Sequence, residues 1–304
     1  MKYPTMGEDA IRPGLGYMLG ATVLFTYLLM IMGTFVTSTG SGLACPDWPL
    51  CYGSVKPPLE MSIWFEWGHR LLGAITGTLI MLSTFFVWRR YRGLPRALTF
   101  AVLTLLAFAV VLGGITVLLE APLLDGFTHV AVISSHLLIA TLVLICLVFT
   151  LRYVLKSKAA TQKGHYKLLF GVVYMQVVLG ILVRYSGATL ACPDFPLCNG
   201  ELIPALAGYP VMLHFIHRAG AAIVFLTTAA MLIRALRDGT GIGGFAAAFA
   251  LVLFQALFGA LIVVSGMFLP FIIMHGATGF MLLGYLAYQS MPHFFKEALE
   301  GRAT

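Results

Sequence analysis

Charged residues are scarce in this chain. Its 304 residues include 12 acidic and 19 basic side chains, or 10% charged, whereas soluble domains are usually about a quarter charged. Hydrophobic residues make up 60% of the sequence, and the mean hydropathy is +0.93. This composition excludes an ordinary soluble globular domain. It indicates an α-helical protein that crosses a membrane several times.

Eight apolar segments are long enough to cross a bilayer as helices, which takes roughly 20 residues. They are residues 14–38, 64–89, 97–120, 128–151, 166–187, 210–235, 243–267 and 269–291. We therefore predict an all-α polytopic membrane protein with eight transmembrane helices. The first segment has full span length and lacks a small-residue cleavage site, so we expect no cleavable signal peptide.

The net charge of +7 is better explained by membrane topology than by nucleic-acid binding. Fifteen of the 19 basic residues fall on the loops and helix ends of one side. The positive-inside rule places that side, and with it both termini, in the cytoplasm. The opposite loops hold Lys56, while Arg70, Arg184 and Arg218 lie at the outer ends of helices. We expect the bilayer as partner and no nucleic acid.

The chain contains an internal repeat. Residues 33–53 and 180–200 align without gaps at an offset of 147 and are identical at 12 of 21 positions. The repeat predicts two units of four helices, an N-terminal half (residues 1–155) and a C-terminal half (residues 156–304). Because four spans per unit keep both halves in the same orientation, we expect a pseudo-twofold axis along the membrane normal.

Four of the five cysteines form one Cys-x5-Cys pair in each repeat, on the predicted outer side where disulfides are permitted. Three connectivities are possible, and bonding within each loop, Cys45 to Cys51 and Cys192 to Cys198, is the simplest. The pairs are either structural or, in the first loop, redox-active, and metal binding fits less well. Cys146 lies alone inside the fourth span and is expected to pack there.

Four histidines lie near the outer ends of the even-numbered spans: His69, His136, His217 and His275. Ionisable groups at membrane depth indicate function, although a single one often serves only as an interhelical hydrogen bonder. His69 matches His217 in the repeat, and His136 matches His275. Two imidazoles on facing helices are the axial ligands of a bis-histidine haem, so each half is predicted to hold one.

The residues beside these histidines differ between the halves. Glu66 lies one helical turn before His69, whereas the matching place in the C-terminal half holds His214. A carboxylate can act as a base or stabilise positive charge, so we assign the chemistry to the N-terminal half. The alternative is a glutamate that only hydrates the helix entrance. Arg70 and Arg218 have the geometry to pair with haem propionates.

The remaining histidines and four glycines allow less specific predictions. His129 and His214 share helix faces with proposed ligands and are expected beside the ligands or on an entry path, whereas His165 and His293 fit interfacial roles. Four glycines occur at similar depth on the odd-numbered spans: Gly33, Gly113, Gly180 and Gly259. They indicate close helix packing, or room for a flat ligand against the backbone.

Together these features resemble the haem A synthase family over nearly the whole chain. The residues that carry the resemblance are Glu66, His69, Arg70, His136, His217, Arg218, His275 and the four outer cysteines. The resemblance implies oxidation of haem O to haem A, in which the C8 methyl group of the porphyrin becomes a formyl group through successive hydroxylations. It also implies a prokaryotic plasma membrane, with haem sites toward the outer face.

The resemblance also assigns roles to individual residues. It implies that His69 and His136 hold haem O as substrate and that Glu66 serves the chemistry. It implies that His217 and His275 hold a haem b that transfers electrons. Expected partners are a haem O synthase and the terminal oxidase that takes haem A. The alternatives are a di-haem b electron carrier and a quinone-linked disulfide oxidase that uses the outer cysteines.

The charge distribution gives a topology that reporter fusions can test. Fusions after residue 92, within residues 152–165 and after residue 237 should all report a cytoplasmic location, because the basic residues cluster there. A periplasmic signal at any of these three positions would contradict the eight-span topology.

Overall fold

A computed structural model describes residues 13–119, 126–155, 166–205 and 208–295. These residues form long α-helices: α1 (Pro13–Ser38), α2 (Met61–Arg90), α3 (Leu94–Leu119), α4 (Gly126–Val154), α5 (Tyr166–Tyr185), α6 (Tyr209–Asp238), α7 (Ile242–Val264) and α8 (Leu269–Phe294). All eight are long and apolar enough to cross a membrane. The chain is a multi-pass membrane protein, in which helices satisfy the backbone hydrogen bonds that lipid cannot.

The predicted spans agree with the helices to within three residues at every end. Two predicted ends were too late for an identifiable reason. The fifth helix stops at Tyr185, because Gly187 adopts a left-handed backbone with φ 74°. The seventh stops at Val264, because Gly266 and Met267 have φ 64° and 71°. Left-handed residues end a helix and turn the chain.

Within each half of the chain the helices contact one another in a closed cycle. Helix α1 contacts α2, α2 contacts α3, α3 contacts α4 and α4 returns to α1, and α5 to α8 repeat this order. The halves meet through α1, α4, α5 and α8. Leu144, Phe149, Leu283 and Met291 belong to a buried apolar cluster between them. The even-numbered helices that carry the histidines are therefore held from both sides.

Polar contacts also join the halves. The hydroxyl of Tyr27 donates to the backbone oxygen of Ala277 at 3.2 Å. Thr34 lies against Gly276, where an added Cβ would come within 3.4 Å of the threonine methyl group. Near the ends of α1 and α5 that lead into the cysteine loops, the Arg184 guanidinium on α5 donates to the Ser38 hydroxyl on α1. The two halves thus pack directly against each other beside the histidines.

Some predictions fall on residues that the structure does not describe. These are the positions of both chain ends and most of the basic segment 152–167 that links the halves, including His165. The boundary between the two proposed units, at residues 155 and 156, lies within that segment, where a described range ends.

Candidate functional site

The structure brings the four predicted histidines together in two pairs. His69 on α2 and His136 on α4 are close enough for their rings to interact electrostatically. His217 on α6 and His275 on α8 form the corresponding pair in the C-terminal half. Each half therefore presents two imidazoles from its second and fourth helices, as a bis-histidine haem site requires.

Each of these histidines lies against a glycine of the neighbouring odd-numbered helix. A Cβ added to the glycine would lie 3.1–3.4 Å from the imidazole Cε1 in each pair: Gly33 with His69, Gly113 with His136, Gly180 with His217 and Gly259 with His275. Contacts this short require the ring to move. The four glycines therefore make room for the imidazoles and fix where each ring can lie.

Hydrogen bonds determine which ring nitrogen is available to a metal. Nδ1 of His136 lies 2.9 Å from the backbone oxygen of Ala109, and Nδ1 of His275 lies 3.0 Å from that of Gln255. A carbonyl oxygen only accepts, so Nδ1 carries the proton in both rings. Nε2 keeps its lone pair, which is the tautomer that binds iron through Nε2.

A cavity of about 510 Å³ opens between the histidines of the C-terminal half. His217, His275, Arg184 and Arg218 line it together with mostly apolar side chains. Cofactor pockets typically measure roughly 300–1,000 Å³ and combine apolar walls with a few polar groups. An apolar space between two imidazoles, with arginines among its walls, fits a haem that carries propionates.

Arg70 connects the first cysteine loop to Glu66. Its Nη1 donates to the backbone oxygens of Asp47 and Leu50, both at 2.5 Å, and its Nη2 donates to that of Cys45 at 3.3 Å. Its Nε donates to Oε1 of Glu66 at 2.8 Å, and the Glu66 side chain is buried. Arg70 therefore holds the loop over the outer end of α2.

Arg218 makes the same connection in the C-terminal half. Its guanidinium donates to the backbone oxygens of Asp194, Leu197 and Cys192 at 2.6–2.8 Å. Its Nε donates to Nε2 of His214 at 3.2 Å, so an imidazole takes the place of the Glu66 carboxylate. His214, expected beside the ligands or on an entry path, is buried beneath the loop and supports its arginine.

The cysteines pair as predicted. Cys45 is bonded to Cys51 and Cys192 to Cys198, each disulfide closing one loop. Cys146 is free and half-buried within α4. The disulfides and the arginine hydrogen bonds act on the same loops, which favours a structural role for both pairs.

Three residues near the histidines were missed by the sequence analysis. Gln176 Nε2 lies 3.0 Å from His217 Nδ1, and Gln255 Nε2 lies 3.2 Å from His275 Nε2. Arg184 donates through Nη2 to Ser38 at 3.1 Å, while its buried Nε has no partner among the described residues. Both glutamines precede a histidine-contacting glycine by four residues, which is the signal that could have found them.

Two further described histidines, His129 and His293, lie at other positions along the helices that carry His136 and His275. His129 is on α4, two turns before His136 on the same helix. His293 is close to the end of α8 and stacks on Tyr166 with ring centroids 6.3 Å apart. Neither observation gives them a role as ligands.

The chain matches the COX15-CtaA model, described as cytochrome oxidase assembly protein, over residues 16–63 and 59–287. The chain belongs to the COX15-CtaA family. It is 31% identical to the heme A synthase of Alkalihalophilus pseudofirmus over 213 residues, covering 67% of this chain and 71% of that protein. It is 29% identical to the heme A synthase of Bacillus licheniformis over 286 residues, covering 90% and 93%. The predicted family is confirmed.

The first cysteine loop should depend on the charge of Asp47, which a change of pH can test. Backbone hydrogen bonds, first that from Gly53 and then that from Tyr52, hold the pKa of the Asp47 carboxyl below its ordinary value of 3.8. A lowered pKa in the folded state means that ionised Asp47 stabilises the loop above pH 3.8 and that this stability is lost as pH falls further. Amide exchange at Tyr52 and Gly53 should therefore stay constant between pH 5 and 8, after correction for intrinsic exchange rates.

The matching substitution is Asp47→Asn, which should accelerate exchange of the same two amides at pH 7. Glu60→Gln is the control, because Glu60 precedes α2 and its side chain makes no capping hydrogen bond. Equal protection in Asp47→Asn and wild type would show that the carboxylate does not hold the loop.

Proposed function

We propose that this chain is a haem A synthase, an oxidoreductase that converts haem O into haem A by oxidising the C8 methyl group to a formyl group. Membership of the COX15-CtaA family and relatives named heme A synthase support it. The observation that carries the proposal is the pair of imidazoles in each half, each ring set by its own glycine. One pair suits a substrate haem and the other a cofactor haem.

The two halves take different haems in this proposal. His69 and His136 hold haem O in the N-terminal half, and His217 and His275 hold haem b in the C-terminal half. Bound haem b supplies one-electron transfer. The tautomers of His136 and His275 support these assignments, because a proton on the hydrogen-bonded Nδ1 leaves the Nε2 lone pair as the one that would bind iron.

The propionates of haem b need cationic partners at the outer end of the cavity. Arg218 lines this cavity, but its guanidinium donates to three loop carbonyls and to His214. Arg184 lines the same cavity and has a buried Nε with no acceptor in the described ranges. We therefore assign Arg184 the direct hydrogen bond to a propionate of haem b and Arg218 the positive charge near it, and we assign Arg70 the corresponding charge in the N-terminal half.

Glu66 is assigned the chemistry in the N-terminal half. It lies one turn before His69, where it can take up a proton released as the methyl group is hydroxylated. Its salt bridge to Arg70 also holds a loop, yet His214 performs that second task in the C-terminal half as an imidazole. The negative charge of Glu66 is therefore not required to hold the arginine, which leaves it available for the reaction.

The architecture proposed from the sequence accompanies this function. Residues 1–155 and 156–304 form two four-helix bundles about a pseudo-twofold axis along the membrane normal, with cytoplasmic termini and outward-facing haem sites. The two closed helix cycles support it, as do the paired contacts of α4 with α5 and of α8 with α1. We place the protein in a prokaryotic plasma membrane, between a haem O synthase and a terminal oxidase.

The imidazole–glycine contact provides a first test. Gly180→Ala should displace His217 and lower haem b affinity about 10-fold or more, the usual effect of disturbing a ligand's support. Gly171→Ala on the same helix is the matched control, because an added Cβ there meets nothing within 4 Å. The measurement is the b-type absorption of the purified proteins. Equal haem content in the two variants would contradict the assigned role of Gly180.

Glu66→Gln tests the chemistry. The amide keeps an acceptor for Arg70 but removes the charge, so the variant should fold and retain haem b. Loss of a general base typically costs about 10²-fold or more in rate, so haem O or a hydroxylated intermediate should accumulate. Chromatography of extracted haems is the measurement, with His69→Ala as the variant that cannot hold the substrate. Haem A formed at the wild-type rate would remove Glu66 from the mechanism.

A further inference from the structure

The histidines of the two halves are supported differently, and the difference lies in two glutamines. Gln176 and Gln255 contact the two histidines of the C-terminal half. The repeat places Leu29 and Ala109 at the corresponding positions of the N-terminal half, each four residues before a glycine that contacts a histidine. The half assigned the substrate therefore lacks both side-chain amides.

Gln176 fills a space that the sequence creates for it. Its Nε2 donates to the backbone oxygen of His217 at 2.9 Å and lies 3.0 Å from Nδ1 of the same residue. A Cβ at Gly220 would collide with the Gln176 side-chain oxygen, so glycine leaves the amide free to lie where it does. Three residues after His69, the equivalent of Gly220 is Leu72. The N-terminal half thus has leucines at both places.

Gln255 shows the same pairing of a glutamine with a glycine. Its Nε2 lies 3.2 Å from Nε2 of His275, the ring atom that would bind iron, so bound haem would replace this contact. Its Oε1 accepts from the Thr278 hydroxyl at 2.5 Å. A Cβ at Gly279 would lie 3.0 Å from the Gln255 amide nitrogen. The equivalents of Thr278 and Gly279 in the N-terminal half are isoleucine and alanine.

His69 has no such support. Its Nδ1 is buried and has no hydrogen-bond partner within the described part of the chain. His136 is held at Nδ1 by the backbone of Ala109, as His275 is by that of Gln255. One of the four proposed ligands therefore lacks the partner that normally fixes the ring and strengthens its bond to a metal.

We propose that Gln176 is a positioning residue that makes the C-terminal pair a site for a permanently bound haem, and that the absence of its counterpart leaves His69 a weakly held ligand. The proposal rests on the proposed function. A cofactor haem must stay, whereas a substrate haem must enter and its product must leave. Strong and weak ligand support in the two halves match these opposite requirements.

The chemistry of Gln176 follows from the tautomer that iron requires. Iron bound at Nε2 of His217 leaves the proton on Nδ1, which then needs an acceptor. Gln176 Oε1 is buried without a partner in the described structure, while the amide nitrogen faces Nδ1. In the haem-bound state of this proposal the amide turns so that Oε1 accepts from Nδ1, and the bond from Nε2 to the His217 backbone oxygen is given up. The hydrogen bond then makes the imidazole a stronger ligand and favours ferric iron.

Gln176→Leu copies the N-terminal half and tests this directly. Haem b affinity should fall about 10- to 100-fold, and the midpoint potential of the remaining haem b should rise because ferric iron loses support. Gln176→Glu keeps an acceptor oxygen and should restore both quantities toward wild type. Gln289→Leu is the control, because the hydrogen bond that the structure gives Gln289 goes to Tyr285 on the same helix and not to a proposed ligand. Wild-type affinity and potential in Gln176→Leu would overturn the proposal.

The reverse transplant tests the N-terminal half. Leu29→Gln with Leu72→Gly should give His69 a partner and slow the transfer of its haem to excess apomyoglobin at least several-fold. An unchanged transfer rate would overturn the claim about His69.

His217→Ala separates these outcomes from failure of the proposed function. Suppose that wild-type protein binds haem b and His217→Ala does not. Wild-type haem affinity and midpoint potential in Gln176→Leu would then contradict only the glutamine proposal. If His217→Ala keeps the b-type spectrum, both the proposed function and this inference are contradicted.

Discussion

The contact between a glycine and an imidazole, made four times between adjacent helices, is the interaction on which the site depends. Each histidine projects from an even-numbered helix toward its odd-numbered neighbour, and glycine on that neighbour lets the ring lie there without being displaced. The packing of adjacent helices and the placement of the imidazoles therefore depend on the same four contacts. A change in the spacing of either helix moves a ring that must face another across the bundle.

The repeat keeps its structural elements and varies its chemistry. Both halves close a loop with a disulfide and fasten it with an arginine that donates to three backbone carbonyls. The acceptor for the arginine Nε is a carboxylate in one half and an imidazole in the other. Because either acceptor can hold the arginine, the residues at this position are free to differ in function between the halves. Glu66 and Gln176 are the clearest examples, since each has a chemically distinct counterpart.

Sequence alone predicted the span number, the histidine pairing and the disulfides, because hydropathy, repeat spacing and compartment chemistry each leave a signal in the order of residues. It did not predict the partners of Arg70 and Arg218, since backbone carbonyls carry no sequence signature. Gln176 and Gln255 were missed because their meaning depends on reach across a helix interface. The glycines were noticed, but periodicity could not show that the group filling their space is an imidazole.

The contact of Thr34 with Gly276 has a consequence for electron transfer. Thr34 follows Gly33, which touches His69, and Gly276 follows His275. If both histidine pairs hold haem as proposed, a tunnelling path between the irons would run along these two short stretches of backbone. Because tunnelling rates fall steeply with each through-space gap, the packing of Thr34 on Gly276 would then affect how quickly the halves exchange electrons.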